Sequence, residues 1–348
     1  MIVRSKAPLR LGLAGGGSDV APYSTTYGGL VLNATINLFA YCSIESLDEK
    51  KIEIHSFDNN FSKDYPVDRQ ITLDDNKAIL IKGVYNRLMR DYGCTPEPMR
   101  ITTYSDAPAG SGLGTSSTMV VAIIKAFCEW YSLPLGDYEI SRLAYEVERI
   151  DLNLSGGKQD QYAAAFGGFN YIEFTPEDNV IVNPLRVNPW TIEELESSLL
   201  LYFTGRSRMS AAIIDEQKRN TSQGVNSAIE AMHRIKQSAI DMKTAILTGD
   251  ISSFADILGR AWEDKKKMAD AITNPVIQKA FDVACGAGAY SGKVSGAGGG
   301  GFIMLAINPT KRKAIEAALR ELGGFVLPFQ FCPNGVRSWR ISEDKAVN

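Results

Sequence analysis

The chain has 348 residues, 45% of them apolar and 22% charged, with a net charge of −3. That is length for about two domains and an ample core. Acids and bases are interspersed, so no basic stripe marks a nucleic-acid partner, and charges interrupt every apolar run before the roughly 18 residues a membrane span requires. Met1-Ile-Val-Arg-Ser-Lys6 enters an alternating strand pattern with no secretory apolar segment. Cys42, Cys94, Cys128, Cys285 and Cys332 are odd in number, share no C-x-x-C pairing, and read as reduced, mostly buried thiols. The expectation is a cytoplasmic protein with no nucleic-acid or membrane partner; homo-oligomerisation stays open. His55 and His233 are far apart and without obvious partners, which argues against histidine catalysis or a His-rich metal site.

In chain order, residues 2–13 alternate and read as a strand. Gly15-Gly16-Gly17-Ser18-Asp19 forces a loop and Tyr27-Gly28-Gly29 a turn. Residues 30–47 are β-rich, with 51–57 as the expected hairpin partner. Ile79, Leu80, Val84 and Leu88 make 75–91 a helix. A strand-like run at 99–104 leads through a glycine-rich loop into an apolar helix over 118–131, which Pro134 ends. Asp137 caps the next helix, 138–150, with Ile140, Leu143, Ala144 and Val147 on one face. A loop over 154–160, a short segment at 161–166 and a strand at 169–174 follow.

Pro184 and Pro189, with Asn183 and Asn188, mark the expected boundary between a domain of residues 1–185 and one of 186–348. Beyond it come a strand (199–203), helices (210–220, 225–247, 251–271, 275–286), a second glycine-rich loop (293–301) and a strand (302–307). A helix (310–322) and short strands (324–331, 336–341) complete the chain. There is no internal repeat. Strands and helices mix without strict βαβ alternation, which reads as an α+β fold in two domains.

The first loop runs Pro108-Ala-Gly-Ser-Gly-Leu-Gly-Thr-Ser-Ser117. Gly110, Gly112 and Gly114 let backbone approach a ligand with no Cβ in the way. Thr115, Ser116 and Ser117 then open a helix, where N–H groups are unpaired and the dipole end is positive. Such a loop can hold nucleotide phosphates; equally, it can be a glycine-rich turn with an ordinary Ser/Thr cap. Two familiar nucleotide signatures fail. Gly292-Lys293-Val294 has Ala287 where a Walker A loop needs its first glycine, and Gly296-Ala-Gly-Gly-Gly-Gly301 is followed by a strand where a dinucleotide fold needs a helix. Four stretches then remain: Ala7-Pro-Leu-Arg10 with Gly15–Asp19, the Pro108 loop, Glu148-Arg149 with Asp160, and 293–301. Singly, each has a plain explanation as a surface charge, a turn cap or a solvated carboxylate.

In this order and spacing the four stretches resemble, over essentially the whole chain, the GHMP kinases, the family of galactokinase, homoserine kinase, mevalonate kinase and phosphomevalonate kinase. The family's G-L-G-S-S motif stands here as Gly112-Leu113-Gly114-Thr115-Ser116, with Thr for the first Ser, and its G-A-G-G-G-G run is intact at Gly296–Gly301. The N-terminal piece from Ala7 to Tyr23 is most similar to the heptose 7-phosphate kinase branch, which phosphorylates an anomeric hydroxyl.

The resemblance implies a two-domain fold with the active site in the cleft between domains, ATP and Mg²⁺ as cofactors, and a sugar phosphate as acceptor. It places Pro108, Gly110, Ser111, Gly112, Leu113, Gly114, Thr115, Ser116 and Ser117 on the nucleotide, and Ser116 with Glu148 on the metal. Asp160 would orient or deprotonate the sugar hydroxyl, and Arg10, where several relatives have lysine, would pair with it, keep it ionised and help offset charge on the transferring phosphoryl group. Gly16, Gly17 and Asp19 would meet the sugar. The loop before Asp160 is about one residue longer than in mevalonate kinase, which loosens its placement against Glu148. For the acceptor's phosphate, the sequence offers Arg206 and Arg208, with Lys158 as a second choice.

Overall fold

The buried residues of the first strand change pattern along its length. From Ile2 to Lys6 burial alternates; from Ala7 to Leu11 it is continuous. One face of a sheet is covered at first, and then both. Val3 and Ala7 pack into one apolar cluster, whereas Leu9, Leu11 and Leu13 pack into a second on the opposite face. This strand therefore runs out of a half-exposed sheet into the middle of the molecule.

The computed structural model describes residues 1–74, 76–205 and 210–342. Its elements begin with β1 (Ile2–Ala14), α1 (Tyr23–Tyr27), β2 (Gly29–Ser46), β3 (Lys51–Ser56), β4 (Phe61–Pro66), α2 (Ile79–Asp91) and β5 (Met99–Ser105). They continue with α3 (Thr115–Tyr131), α4 (Asp137–Glu146), α5 (Gln159–Phe166), β6 (Phe169–Phe174) and β7 (Val180–Pro184). Then come α6 (Pro189–Ser198), β8 (Leu199–Phe203), α7 (Ser210–Ser222), α8 (Asn226–Thr248), α9 (Ile251–Lys265) and α10 (Pro275–Gly286). Last are β9 (Ala289–Val294), β10 (Phe302–Ile307), α11 (Arg312–Arg320), β11 (Phe325–Leu327) and β12 (Arg337–Ile341). The α+β class expected from the mixed pattern is observed.

The larger sheet has the order β12-β1-β2-β5-β3-β4, with β6 and β7 attached to β2; the smaller has the order β11-β8-β10-β9. The 18-residue β2 serves two neighbours on one edge, β6 through its first half and β5 through its second. The expected β2–β3 hairpin is thus corrected. β5 occupies the edge β3 would need, so β3 pairs parallel to β5 and makes its hairpin with β4. Ile101, fully buried at the centre of β5, has Ile44 on one side and Ile54 on the other. The position expected for a domain boundary, 185/186, lies between β7 and α6. The chain's last strand nevertheless returns to the first sheet, with Ile341 opposite Ile2.

Two expected helices are shorter than their periodicity. The helix expected at 138–150 stops at Glu146 and continues as one wide π-turn, Val147–Asp151. The helix expected to reach 271 stops at Lys265, because Met268, Ala269 and Ile272 turn inward to fill the core against α8 and α10.

Candidate active site

The Pro108 loop ends on Gly114, and Gly114 rather than a Ser or Thr is the N-cap of α3. Its φ is 79° and no side chain caps the helix. An ordinary Ser/Thr cap would satisfy one of the first-turn N–H groups; here no side chain does, and Thr115, Ser116 and Ser117 line a cleft of about 290 Å³. α3 is apolar nearly all round, with Val120, Val121, Ala122, Ile123 and Ile124 fully buried, so its N-terminus is fixed by packing.

The loop is held from below by the second glycine run. A Cβ on Gly112 would stand 2.4 Å from the Ser295 carbonyl oxygen, and one on Gly296 would stand 2.8 Å from Gly112 Cα. Only two glycines allow that approach. Ser295 Oγ donates to the Gly112 carbonyl at 2.8 Å.

Arg10 leaves β1 where both faces are covered, and its side chain is 4% exposed. Nε and Nη2 each lie 2.7 Å from Asp160 Oδ1, and Nη1 donates to the Gly112 carbonyl at 2.6 Å. One guanidinium therefore couples the carboxylate to the phosphate loop. Asp160 sits in the first turn of α5, next to Gly114, where a Cβ would be 3.1 Å from its Cγ.

Glu148 comes from the π-turn, an irregularity common at functional sites because it turns a side chain off the helix face. It is 1% exposed. Oε1 accepts from Ser116 Oγ at 3.3 Å and lies 3.6 Å from Arg149; Oε2 accepts from Gln161 Nε2 at 2.5 Å. Gln161 follows Asp160 directly, so the extra residue in the preceding loop does not separate Asp160 from Glu148. Both line the same cleft. Buried beside Glu148, Arg149 Nε and Gln161 Oε1 find no hydrogen-bond partner among the described residues. The Glu148 carboxylate, the Ser116 hydroxyl and the unmatched Gln161 amide oxygen form an oxygen pole that fits a hydrated Mg²⁺, and the unmatched Arg149 N–H beside it suits an accompanying phosphate. No group of three or more His, Cys, Asp or Glu side chains that could hold a metal alone occurs among the described residues.

Gly16, Gly17 and Asp19 line the cleft on the Arg10 side. Asp19 is 2% exposed, and all its acceptor capacity is engaged. Oδ2 accepts from the N–H groups of Lys158 (2.9 Å) and Gln159 (3.1 Å), and Oδ1 from Gly17 N (3.0 Å) and Gln159 Nε2 (3.2 Å). It satisfies the start of α5 across about 140 residues of sequence, and so positions the helix that carries Asp160.

Three expected loop residues do not face the cleft. Leu113 is core, and its carbonyl accepts from Arg10 N. The Ser111 N–H closes a turn on Pro108, and its hydroxyl meets Thr115 Oγ1 at 3.1 Å. Gly110, Gly112, Gly114, Thr115, Ser116 and Ser117 do line it. Lys158 points away, paired with Asp178 and above the Tyr145 ring, so it is not the phosphate cradle of the second choice. Arg206 and Arg208 lie outside the described residues. His233, for which the sequence showed no partner, meets the Tyr23 hydroxyl at 2.7 Å, away from the cleft.

The sequence matches the GHMP kinases N terminal domain at residues 79–168 and the GHMP kinases C terminal domain at residues 242–324. It is 47% identical to a D-glycero-alpha-D-manno-heptose 7-phosphate kinase of Campylobacter jejuni, over 97% of this chain and 99% of the relative. The chain belongs to the GHMP kinases. A crystal structure described as a D-glycero-D-manno-heptose 1-phosphate kinase from Bacteroides thetaiotaomicron superposes on this GHMP kinase with a TM-score of 0.84 and 58% identity, covering 98% of this chain and 100% of that one. An L-fucokinase/L-fucose-1-P guanylyltransferase of Bacteroides fragilis is 28% identical over 92% of this chain but only 36% of its own length.

Sequence reading missed two members of this GHMP kinase site. Gln161 passed as an ordinary helix residue. Lys265, which lines the cleft, passed as one charge in Glu263-Asp264-Lys265-Lys266-Lys267. The available signal was its phase: Phe254, Leu258, Ala261 and Lys265 share the buried face of α9.

Proposed function

We propose that the protein is an ATP- and Mg²⁺-dependent sugar-1-kinase that phosphorylates the anomeric hydroxyl of D-glycero-D-manno-heptose 7-phosphate. The observation that carries this reading is the Arg10–Asp160 pair standing beside an uncapped helix N-terminus in one cleft. Phosphoryl transfer asks a protein to position two oxygens in line and to stabilise spreading negative charge. The first-turn N–H groups of α3 receive the nucleotide's phosphates. Ser116 and Glu148 hold Mg²⁺, which when bound neutralises charge on the phosphates. Asp160, fixed by Arg10 from one side and by the start of α5 from the other, orients the anomeric hydroxyl and takes its proton.

The nucleoside is assigned to a second pocket of about 220 Å³ that adjoins the loop through Thr115 and Ser116. Ile79, Ile81 and Met119 give it apolar walls, and Ser56, Asp58 and Asn59 supply polar groups. The sugar takes the Gly16–Gly17 side, against Arg10 and Gln159. α7 closes this side with Ala211, Ile214 and Gln217, and Asp215 accepts from Ser155 Oγ at 2.6 Å.

The test is ADP release by the full chain with ATP and Mg²⁺ over a panel of sugars and sugar phosphates. Fastest turnover of the heptose 7-phosphate, with phosphate placed on the anomeric oxygen, is the expected result. The L-fucokinase relative makes an unphosphorylated sugar the competing acceptor, and preferential turnover of one would displace the heptose assignment. Nucleotide and sugar binding with no turnover would leave a binding protein in place of an enzyme.

A further inference from the structure

We propose that Lys265 is a catalytic residue of this kinase: its ammonium meets the negative charge on the transferring phosphoryl group, beside an Arg10 whose guanidinium also holds Asp160 and the Gly112 carbonyl. The inference rests on the kinase reading above.

Position comes first. Lys265 ends α9 on its apolar face, one turn beyond Ala261 and Trp262, and is 6% exposed although it lines the cleft. Nζ donates to the Gly296 carbonyl. Gly296 is the glycine packed against Gly112, so the ammonium is anchored where the two glycine loops touch. The charges it feels are Arg10, Asp19 and Asp160. It therefore stands where the two glycine loops meet, on the cleft that Arg10, Ser116 and Asp160 also line.

The hydrogen bonds point the same way. An ammonium has three donors, and among the described residues one acceptor meets it, the Gly296 carbonyl. Among the described residues no carboxylate comes within ion-pair distance of Lys265. A buried cation with no counter-ion is unfavourable until a ligand supplies one. Arg10, by contrast, already places one N–H of each of its three nitrogens on Asp160 or Gly112, which fixes the direction of the two N–H groups it has left. The buried lysine next to it, Lys293, is also occupied: its Nζ donates to the Gly12 and Leu13 carbonyls of β1.

Burial, aided by Arg10, pushes the Lys265 ammonium down to about 8, while Asp19 and Asp160 pull the other way. The groups facing it are Arg10 from β1, Asp19 from the loop that follows, Asp160 from α5 and Lys293 from β9. It remains a cation at neutral pH, and an incoming phosphate would hold its proton more firmly.

In the transfer, the anomeric oxygen bonds to the γ-phosphorus as the bond from that phosphorus to the β–γ bridging oxygen breaks. ADP leaves with the electron pair, and the hydroxyl proton passes to Asp160. Lys265 gains and loses no proton; it donates to a non-bridging oxygen throughout, and that contact strengthens as charge develops there.

The experiment is steady-state kinetics of the full chain, Lys265→Met and Lys265→Arg between pH 6 and 9.5, with thermal midpoints measured in parallel. Removal of one such donor costs on the order of 10²–10³ in kcat, and Lys265→Met should show that loss with KM for ATP and sugar phosphate changed less than about threefold. Its thermal midpoint should stay level or rise, since a buried unpaired charge is gone, and Lys265→Arg should recover part of the rate. The alkaline fall in wild-type kcat/KM near pH 8 should be absent from Lys265→Met. Wild-type kcat in Lys265→Met, or a loss confined to the sugar KM, overturns the inference and leaves the kinase reading standing. If the wild type turns over no sugar phosphate, the kinase reading falls and this inference falls with it.

Discussion

Arg10 and Asp160 are 150 residues apart, yet two guanidinium nitrogens of the one lie 2.7 Å from a single carboxylate oxygen of the other. The third nitrogen is on the Gly112 carbonyl. The group assigned to the acceptor and the loop assigned to the phosphates are thus held by one rigid, planar side chain. Replacing Arg10 with Lys keeps a charge but cannot hold both partners at once. Arg10→Lys should lose kcat by about 10- to 100-fold, or roughly 1.4–2.7 kcal/mol of transition-state stabilisation. Asp160→Asn should lose more, on the order of 10²–10⁴, the range for a positioned proton acceptor. Nucleotide affinity, measured by fluorescence titration, should survive in Asp160→Asn. A fully active Asp160→Asn would remove the residue from the mechanism.

Asp19 should behave as a positioning residue. Its four hydrogen bonds tie the Gly15–Asp19 loop to the start of α5. Asp19→Ala leaves two helix N–H groups without their acceptor, at about 1 kcal/mol for the lost cap. Activity should fall mainly through kcat, since Asp160 sits two residues along from Lys158, and the thermal midpoint should drop with it. A pure rise in sugar KM with unchanged kcat would instead assign Asp19 to direct sugar contact.

The Gln161–Glu148 contact sets the metal pole. Gln161→Leu frees Glu148 Oε2 and removes the link to Ser117. Loss of a group that orients a metal ligand costs about 10- to 100-fold in metal affinity, which should appear as a raised Mg²⁺ activation constant with little change at saturating Mg²⁺. Glu148→Gln should not be rescued by excess metal. An unchanged Mg²⁺ dependence in both variants would detach Glu148 from the cation.

Gly112→Ala tests the contact between the two glycine loops. The new Cβ would meet backbone at 2.4 Å, at a φ of 84° that side chains avoid. The backbone has to move, at a cost of at least 1–2 kcal/mol for the left-handed conformation alone. The expected result is a lower thermal midpoint together with a raised KM for ATP. A variant matching the wild type in both would show that the loops separate freely.

Lys265 also makes a stability prediction. Its folded value, about 8, lies below the ordinary lysine value, so the folded state releases this proton first. Below pH 8 both states are protonated and the full penalty of the buried charge is present. Between pH 8 and the ordinary lysine range the unfolded chain binds more protons, so stability rises through that window. The stability advantage of Lys265→Met over wild type, read from urea unfolding, should therefore be largest below pH 8 and shrink as pH rises. A difference independent of pH would mean that the ammonium is already solvated.

Local chemistry was readable without coordinates wherever it is written in adjacent residues. The glycines of the Pro108 loop, the apolar run of α3 and the α+β class followed from residue type and spacing, whereas Arg10, Glu148 and Asp160 stood out only through the family resemblance of the four stretches taken together. What spacing could not supply was partnership across distance. β5 displaced β3 from β2 because the edge of a strand admits one neighbour, and no local pattern states which. The π-turn at Glu148 looks like ordinary helix in sequence, since its neighbours keep a helical period. Lys265 carries no mark in a run of five charges; only the packing of α9 removes it, alone of the five, from water and aims it at the cleft. Sequence determined which groups were available for phosphate chemistry. Tertiary structure decided which of them are desolvated, already paired or left with a donor to give, because those properties depend on what the rest of the chain places around a side chain.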